Sequence, residues 1–198
     1  MSYTSAFLQR VLNKLPKNRI SSYKFESWSH ADKPTKEGVG LLPIMADPDK
    51  LVSCIMNVNG YVGNLEYVEE CRAIADNRFV PPERVRFYQR VRIPMLGSIH
   101  HELVLTDASE IGDYRVVFWE MLEAETVALS AKVGFRSQYN EGAWLIGKGC
   151  VGYALSSAPR REDVGFIKWK ALTAGADMSA SPVVKANIDA MTRWAAKI

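Results

Sequence analysis

Few residues of this chain could do proton or metal chemistry in concert, and two of them are adjacent: His100 and His101, in the run Ile99-His100-His101-Glu102-Leu103. Neighbours on a strand point to opposite faces, so the two imidazoles cannot share a metal ion. His101 keeps register with Ile99, Leu103 and Leu105 and is expected to face inward. There it is either a structural histidine bonded to a neighbouring group, or a polar anchor or proton donor for a ligand. His100 shares its face with Glu102 and is expected in solvent. Glu120 alternates with Tyr114, Val116, Phe118 and Leu122 against Arg115, Val117, Trp119 and Met121, and either set could be the interior. With the first set inside, Glu120 is a carboxylate in an apolar wall and a candidate general acid; a salt bridge to a strand arginine is its simpler fate. Trp119, Trp144, Tyr153 and Trp169 are numerous enough to line a cavity, although aromatics at strand spacing also build ordinary cores.

No Ser-His-Asp arrangement, phosphate-binding glycine loop or HExxH accompanies these residues, and Gly147-x-Gly149 opens no helix. That favours binding over catalysis and implies no cofactor. The three cysteines, Cys54, Cys71 and Cys150, are odd in number and without zinc or CxxC spacing, so they read as reduced thiols and the protein as cytoplasmic, with no metal site. A formal net charge of +3 over 198 residues lacks the concentrated positive footprint of a nucleic-acid binder. No window approaches a membrane span. The stretch 1–25 is basic without an acid, carrying Arg10, Lys14, Lys17, Arg19 and Lys24, and Phe7, Leu8, Val11, Leu12 and Leu15 fall on one helical face. It reads as a basic amphipathic helix over residues 1–20 that docks on the domain through Phe7, Val11 and Leu15, with a transit peptide or peripheral membrane contact as the alternatives.

The elements that must position these residues follow from periodicity. Ser22 to Trp28 reads as a strand with Tyr23, Phe25 and Ser27 on one side; 30–38 is a polar turn region and 39–45 a second extended segment. Asp47 before Pro48 marks a helix start, with Leu51, Val52, Ile55 and Met56 as its apolar stripe and Asn57 to Gly60 as its end. Tyr61 to Val68 reads as a second short helix leading to a strand over 70–75. From Arg84 the period becomes two: Val85, Phe87, Gln89, Val91 and Ile93 face inward, while Arg84, Arg86, Tyr88, Arg90 and Arg92 are solvated. Strands over 99–106, 114–122, 143–146, 151–157 and 165–172 continue an antiparallel meander. Ser181 before Pro182 then reads as the cap of a final helix with Val184, Ile188, Met191, Ala195 and Ile198 in its stripe and Trp194 beside them. The layout is α+β, one domain over 1–198.

These segments resemble a known family. Ala46-Asp47-Pro48-Asp49-Lys50-Leu51-Val52, continuing through Val58-Asn59-Gly60-Tyr61 to Tyr67 and Val68, resembles the helix pair after the first strand of START-like and polyketide cyclase-like proteins. Tyr88-Gln89-Arg90-Val91-Arg92-Ile93-Pro94 with 98–105 resembles a strand, turn and strand of START domains, and Gly142-Ala143-Trp144 and the 182–194 helix complete the pattern over residues 39–198. Where many lipid-transfer members carry an Arg-Asp pair, this chain has His101 and Glu102. The resemblance implies the helix-grip fold of the START-like, Bet v 1-like superfamily, a curved antiparallel sheet wrapped around a long C-terminal helix. It implies an apolar ligand held between the two, for which the candidate residues are Phe87, Gln89, His101, Leu103, Trp119, Trp144, Tyr153, Asn187, Ile188 and Met191. A hydrophobic, lipid-like small molecule is then the expected partner. The alternatives are a cyclase or aromatase using His101, Glu120 or Tyr153, and an interaction module whose pocket is filled by its own side chains.

Overall fold

The computed structural model describes residues 5–16, 18–93 and 97–198, and their side chains except those of 172 and 175–179. Lys17 and Pro94, named above, and residues 1–4 of the expected N-terminal helix lie outside that set. Alternating apolar patterns produce strands β1 (Lys24–Trp28), β2 (Glu37–Leu42), β3 (Val68–Ala73), β4 (Arg84–Ile93), β5 (Gly97–Ile111), β6 (Tyr114–Met121), β7 (Phe135–Gly147) and β8 (Cys150–Pro159). They form one sheet in the order β1-β2-β8-β7-β6-β5-β4-β3, antiparallel apart from a short parallel pairing of β5 with β7. That pairing exists because β6 stops at Met121, which lets Ile99 and His100 meet Phe135 and Arg136 directly. β7 begins well before the Ala143 expected from the sequence. A register shift between Ser137 and Tyr139 breaks its period-two pattern and hides its first half.

The helices are α1 (Ala6–Lys14), α2 (Pro48–Met56), α3 (Glu123–Ala128), α4 (Arg161–Val164) and α5 (Phe166–Ala195). α2 starts as expected: the Asp47 carboxylate accepts from the amides of Asp49 and Lys50, with Pro48 in the first turn. The second short helix expected at 61–68 is instead one 3-10 turn at Val58–Gly60, because Asn57 to Gly60 ends α2 by tightening.

Two expectations about the C-terminal region are corrected. The segment 165–172 is not a strand, and Ser181 caps nothing: α5 runs thirty residues straight through Pro182. An interior proline costs a helix a hydrogen bond, about 3 kcal/mol, and tertiary contacts outside the local sequence offset it. The Trp169 indole donates to the Pro159 carbonyl, and the Tyr23 hydroxyl donates to that of Ser181 at 2.8 Å. Gly165, at φ 80°, supplies the left-handed turn between α4 and α5.

The sheet separates two cores. On its concave face, the C-terminal half of α5 presses Ile188, Met191 and Trp194 against Leu51, Ile55 and Tyr61. Gly60 is required there, since a Cβ would lie 2.6 Å from the Trp194 ring. Ile198, placed in the stripe by periodicity, is 58% exposed because α5 ends at Ala195. On the convex face α1 buries Phe7, Leu8 and Val11 on Val39, Val116, Phe118, Ala143, Leu145 and Ala154, with Leu15 at the edge. The small side chains Ala143 and Ala154 let the helix approach closely.

Candidate functional site: a cavity between the sheet and the C-terminal helix

The cavity lies under the middle of α5, where the curved sheet departs from the straight helix, and its volume is about 600 Å³. Every strand contributes to its walls, with Phe87, Gln89, Leu103, Trp119, Trp144 and Tyr153 among the inward residues, joined by Tyr61 and Leu65 from the segment after α2 and Val184 and Asn187 from α5. Trp119 and Trp144 flank Tyr153, with ring centroids 5.3 and 4.6 Å away. Gly142 makes room for this group, because a Cβ there would fall 2.0 Å from the Trp119 ring.

Ile188 and Met191 do not line the cavity. Both are fully buried in the contact between α5 and α2, one turn beyond the point where helix and sheet diverge. Trp169, expected on a strand, sits on α5 and holds it to β8.

The β4 register agrees with alternation: Phe87, Gln89 and Val91 face the cavity. The opposite face is less solvated than expected. Arg86 pairs with Glu102 and Asp76, Arg90 pairs with Glu69 and Glu70, and only Arg92 is exposed. Tyr88 is buried as well, its hydroxyl 3.1 Å from His100 Nδ1. His100 is therefore not in solvent but 1% exposed, since β7 pairs across β5 at this point, and Glu102 is 9% exposed beneath Arg86. Burial lowers the His100 pKa.

Val117 and Trp119 take the interior, which puts Glu120 on the convex side, exposed and unable to reach the cavity. His101 does face inward, and its ring nitrogens are surrounded. Ser137 Oγ is 2.9 Å from Nδ1, Gln89 Oε1 is 3.1 Å from Nε2, and Asn140 Nδ2 lies over the ring edge at 3.2 Å from Nδ1. Trp119 Nε1 donates to Asn140 Oδ1 at 2.8 Å. Burial, with His100 adjacent, pushes the His101 pKa down to about 3, so its imidazole is neutral at physiological pH. Burial raises that of Tyr153. Burial thus favours the neutral form of both groups, and no described cluster of His, Cys, Asp and Glu could hold a metal ion.

Asn140 continues the alternation of Gly142 and Trp144 but lies before the strand start expected at Ala143, and the shift between Ser137 and Tyr139 turns Ser137 inward against that parity. The only signal in the sequence was the polar pair itself. The mouth is polar: Ser27, Lys36, Glu66, Tyr67, Arg92 and Pro182 border it and are exposed. Tyr67 has φ 66°, a conformation disfavoured for a bulky side chain, and its carbonyl accepts from the Arg92 amide.

No protein-family model matches the sequence, and a search of curated proteins returns no match. Solved structures do match in shape. A STAR-related lipid transfer protein from Xanthomonas axonopodis superposes with a TM-score of 0.70 at 14% identity, covering 90% of this chain and 96% of that one. Human STARD10 gives 0.68 at 10% identity, covering 98% and 80%. The Zhui aromatase/cyclase from Streptomyces sp. R1128 gives 0.56 at 10% identity, covering 88% and 94%. With an eight-stranded curved sheet, a long C-terminal helix and a cavity between them, the chain has the helix-grip fold of these structures.

Proposed function

We propose that this protein binds and carries a hydrophobic small molecule without transforming it, in the cavity lined by Phe87, Gln89, His101, Leu103, Trp119, Trp144, Tyr153 and Asn187. The observation that carries this reading is an apolar space of about 600 Å³ that the protein's own side chains leave open. Its volume is within the range of small-molecule sites. Burying about 200 Å² of apolar ligand surface contributes on the order of 5 kcal/mol before ordering costs, enough to hold a ligand without chemistry. The lipid-transfer proteins of the same fold are consistent with such a ligand. A cyclase would need converging acid and base groups; Glu120 lies outside and His101 is neutral and fully bonded. A filled interaction module would need side chains across the gap.

The test is a fluorescence titration with Nile red on wild type and on Leu155→Trp, which adds an indole to the partly open wall of β8. Wild type should bind and the variant should bind at least about 10-fold more weakly. Equal affinity would remove the cavity as the site.

A further inference from the structure

The hydrogen bonds around His101 run in one direction. An indole nitrogen can only donate, so the group 2.8 Å from Trp119 Nε1 is the Asn140 oxygen, and the Asn140 amide nitrogen is turned toward His101. That nitrogen can also only donate, and it lies over the ring edge, 3.2 Å from Nδ1 and 3.3 Å from Nε2. The Ser137 hydroxyl approaches the same Nδ1. The Gln89 oxygen, 3.1 Å from Nε2, can only accept, so in this arrangement the ring proton is on Nε2 and is donated to it, leaving Nδ1 bare. The Gln89 amide nitrogen is the free end of the relay. Among the described residues none accepts from it, and none bonds the Tyr153 hydroxyl; both side chains line the cavity.

We propose that Gln89, together with Tyr153, determines ligand specificity: the site selects an uncharged amphiphile whose polar end is a hydrogen-bond-accepting oxygen, a carbonyl or ester, and rejects the same apolar body ending in a carboxylate or phosphate. This rests on the cavity being the ligand site. Both neutral donors line the cavity, and a carbonyl satisfies either without bringing a proton that would need an acceptor of its own. Among the described residues, the cations that border the cavity are Arg92 and Lys36. Arg92 and Lys36 are exposed at the mouth, and the Glu37 carboxylate is bonded to Arg10 and Lys33 instead. An anion taken inside would give up its hydration for two neutral hydrogen bonds, which does not compensate it.

Three fluorescent probes separate the proposal from the reading beneath it: diphenylhexatriene, which has no polar atom, methyl cis-parinarate, and cis-parinaric acid at a pH where it is ionised. Diphenylhexatriene and the ester should bind, the ester about 30-fold more tightly than the acid. Gln89→Leu should lower the ester's affinity relative to that of diphenylhexatriene by about 10-fold, and Gln89→Lys should shift preference toward the acid. Nitrogen-15 NMR of His101 should show the proton on Nε2. If diphenylhexatriene binds but acid and ester bind alike, or the ratio is unchanged in Gln89→Leu, or the proton is on Nδ1, the specificity proposal is overturned while the cavity stands. If none of the three probes binds, the cavity reading fails and the proposal with it.

Discussion

His101 shows how one residue's surroundings become a property of the whole protein. Its pKa is about 3 when folded, whereas the unfolded imidazole titrates near its ordinary 6.5. Above that value both states are neutral and stability does not depend on this group. Between 6.5 and 3 the unfolded chain takes up a proton that the folded one refuses, so stability falls as pH falls, by up to about 1.4 kcal/mol per unit. His100, also lowered by burial, acts in the same direction. Urea unfolding should therefore show wild type losing stability steadily from pH 6.5 toward 5, with a slope about 1 kcal/mol per pH unit shallower in His101→Gln. Identical slopes would mean that His101 is charged in the folded protein.

At the scale of elements, α1 and β2 are joined through a carboxylate that the sequence does not distinguish. Glu37 is completely buried on the convex face, held by the Arg10 guanidinium from α1, by Lys33 and by the Trp28 indole. Lys33 also pairs with Glu141. Burial alone would raise the Glu37 pKa, but the bonds from Arg10, Lys33 and Trp28 outweigh it and bring it to about 2. Its contribution is present above pH 4.5 and is lost as pH falls toward 2. Neutralising it leaves two cations under α1 without their shared partner. Glu37→Gln is expected to cost about 3 kcal/mol in urea unfolding and to speed tryptic cleavage within α1. A loss under about 0.5 kcal/mol with unchanged proteolysis would show that α1 is held by Phe7, Leu8 and Val11 alone.

For the molecule as a whole, the concave core is complete only at one end. α5 is packed solidly on α2 from Ile188 onward, whereas Ala180, Pro182, Val183, Val184 and Asn187 before it border the cavity. A ligand that fills this space binds the folded state only, so it stabilises by mass action. At about 100 times its dissociation constant, methyl cis-parinarate should add about 2.7 kcal/mol and raise Tm by roughly 5 to 10 °C. Amide exchange should slow most along the middle of α5 and near Tyr67, which border the opening. A Tm rise without slowed exchange there would place the ligand elsewhere.

The residues that sequence alone assigned are those whose surroundings are local. The Asp47-Pro48 start of α2, the inward set Phe87, Gln89 and Val91, and the inward turn of His101 each follow from a cap or a period of two, and together they carry the order of elements on which the helix-grip expectation rested. What failed depended on partners distant in the chain. Pro182 looks the same in a first turn as in mid-helix, and only Tyr23 and Trp169, bonded across the fold, tell the two apart. His100 reads as solvated until β7 covers it, and Glu37 falls in a segment that reads as a polar turn until the fold makes it part of β2 beneath α1. Ser137 reaches His101 because one strand ends early and its neighbour is out of register by a residue. Local pattern determines which face of a strand a side chain takes; what lies opposite that face is a matter of packing between segments that the chain brings together only when it folds.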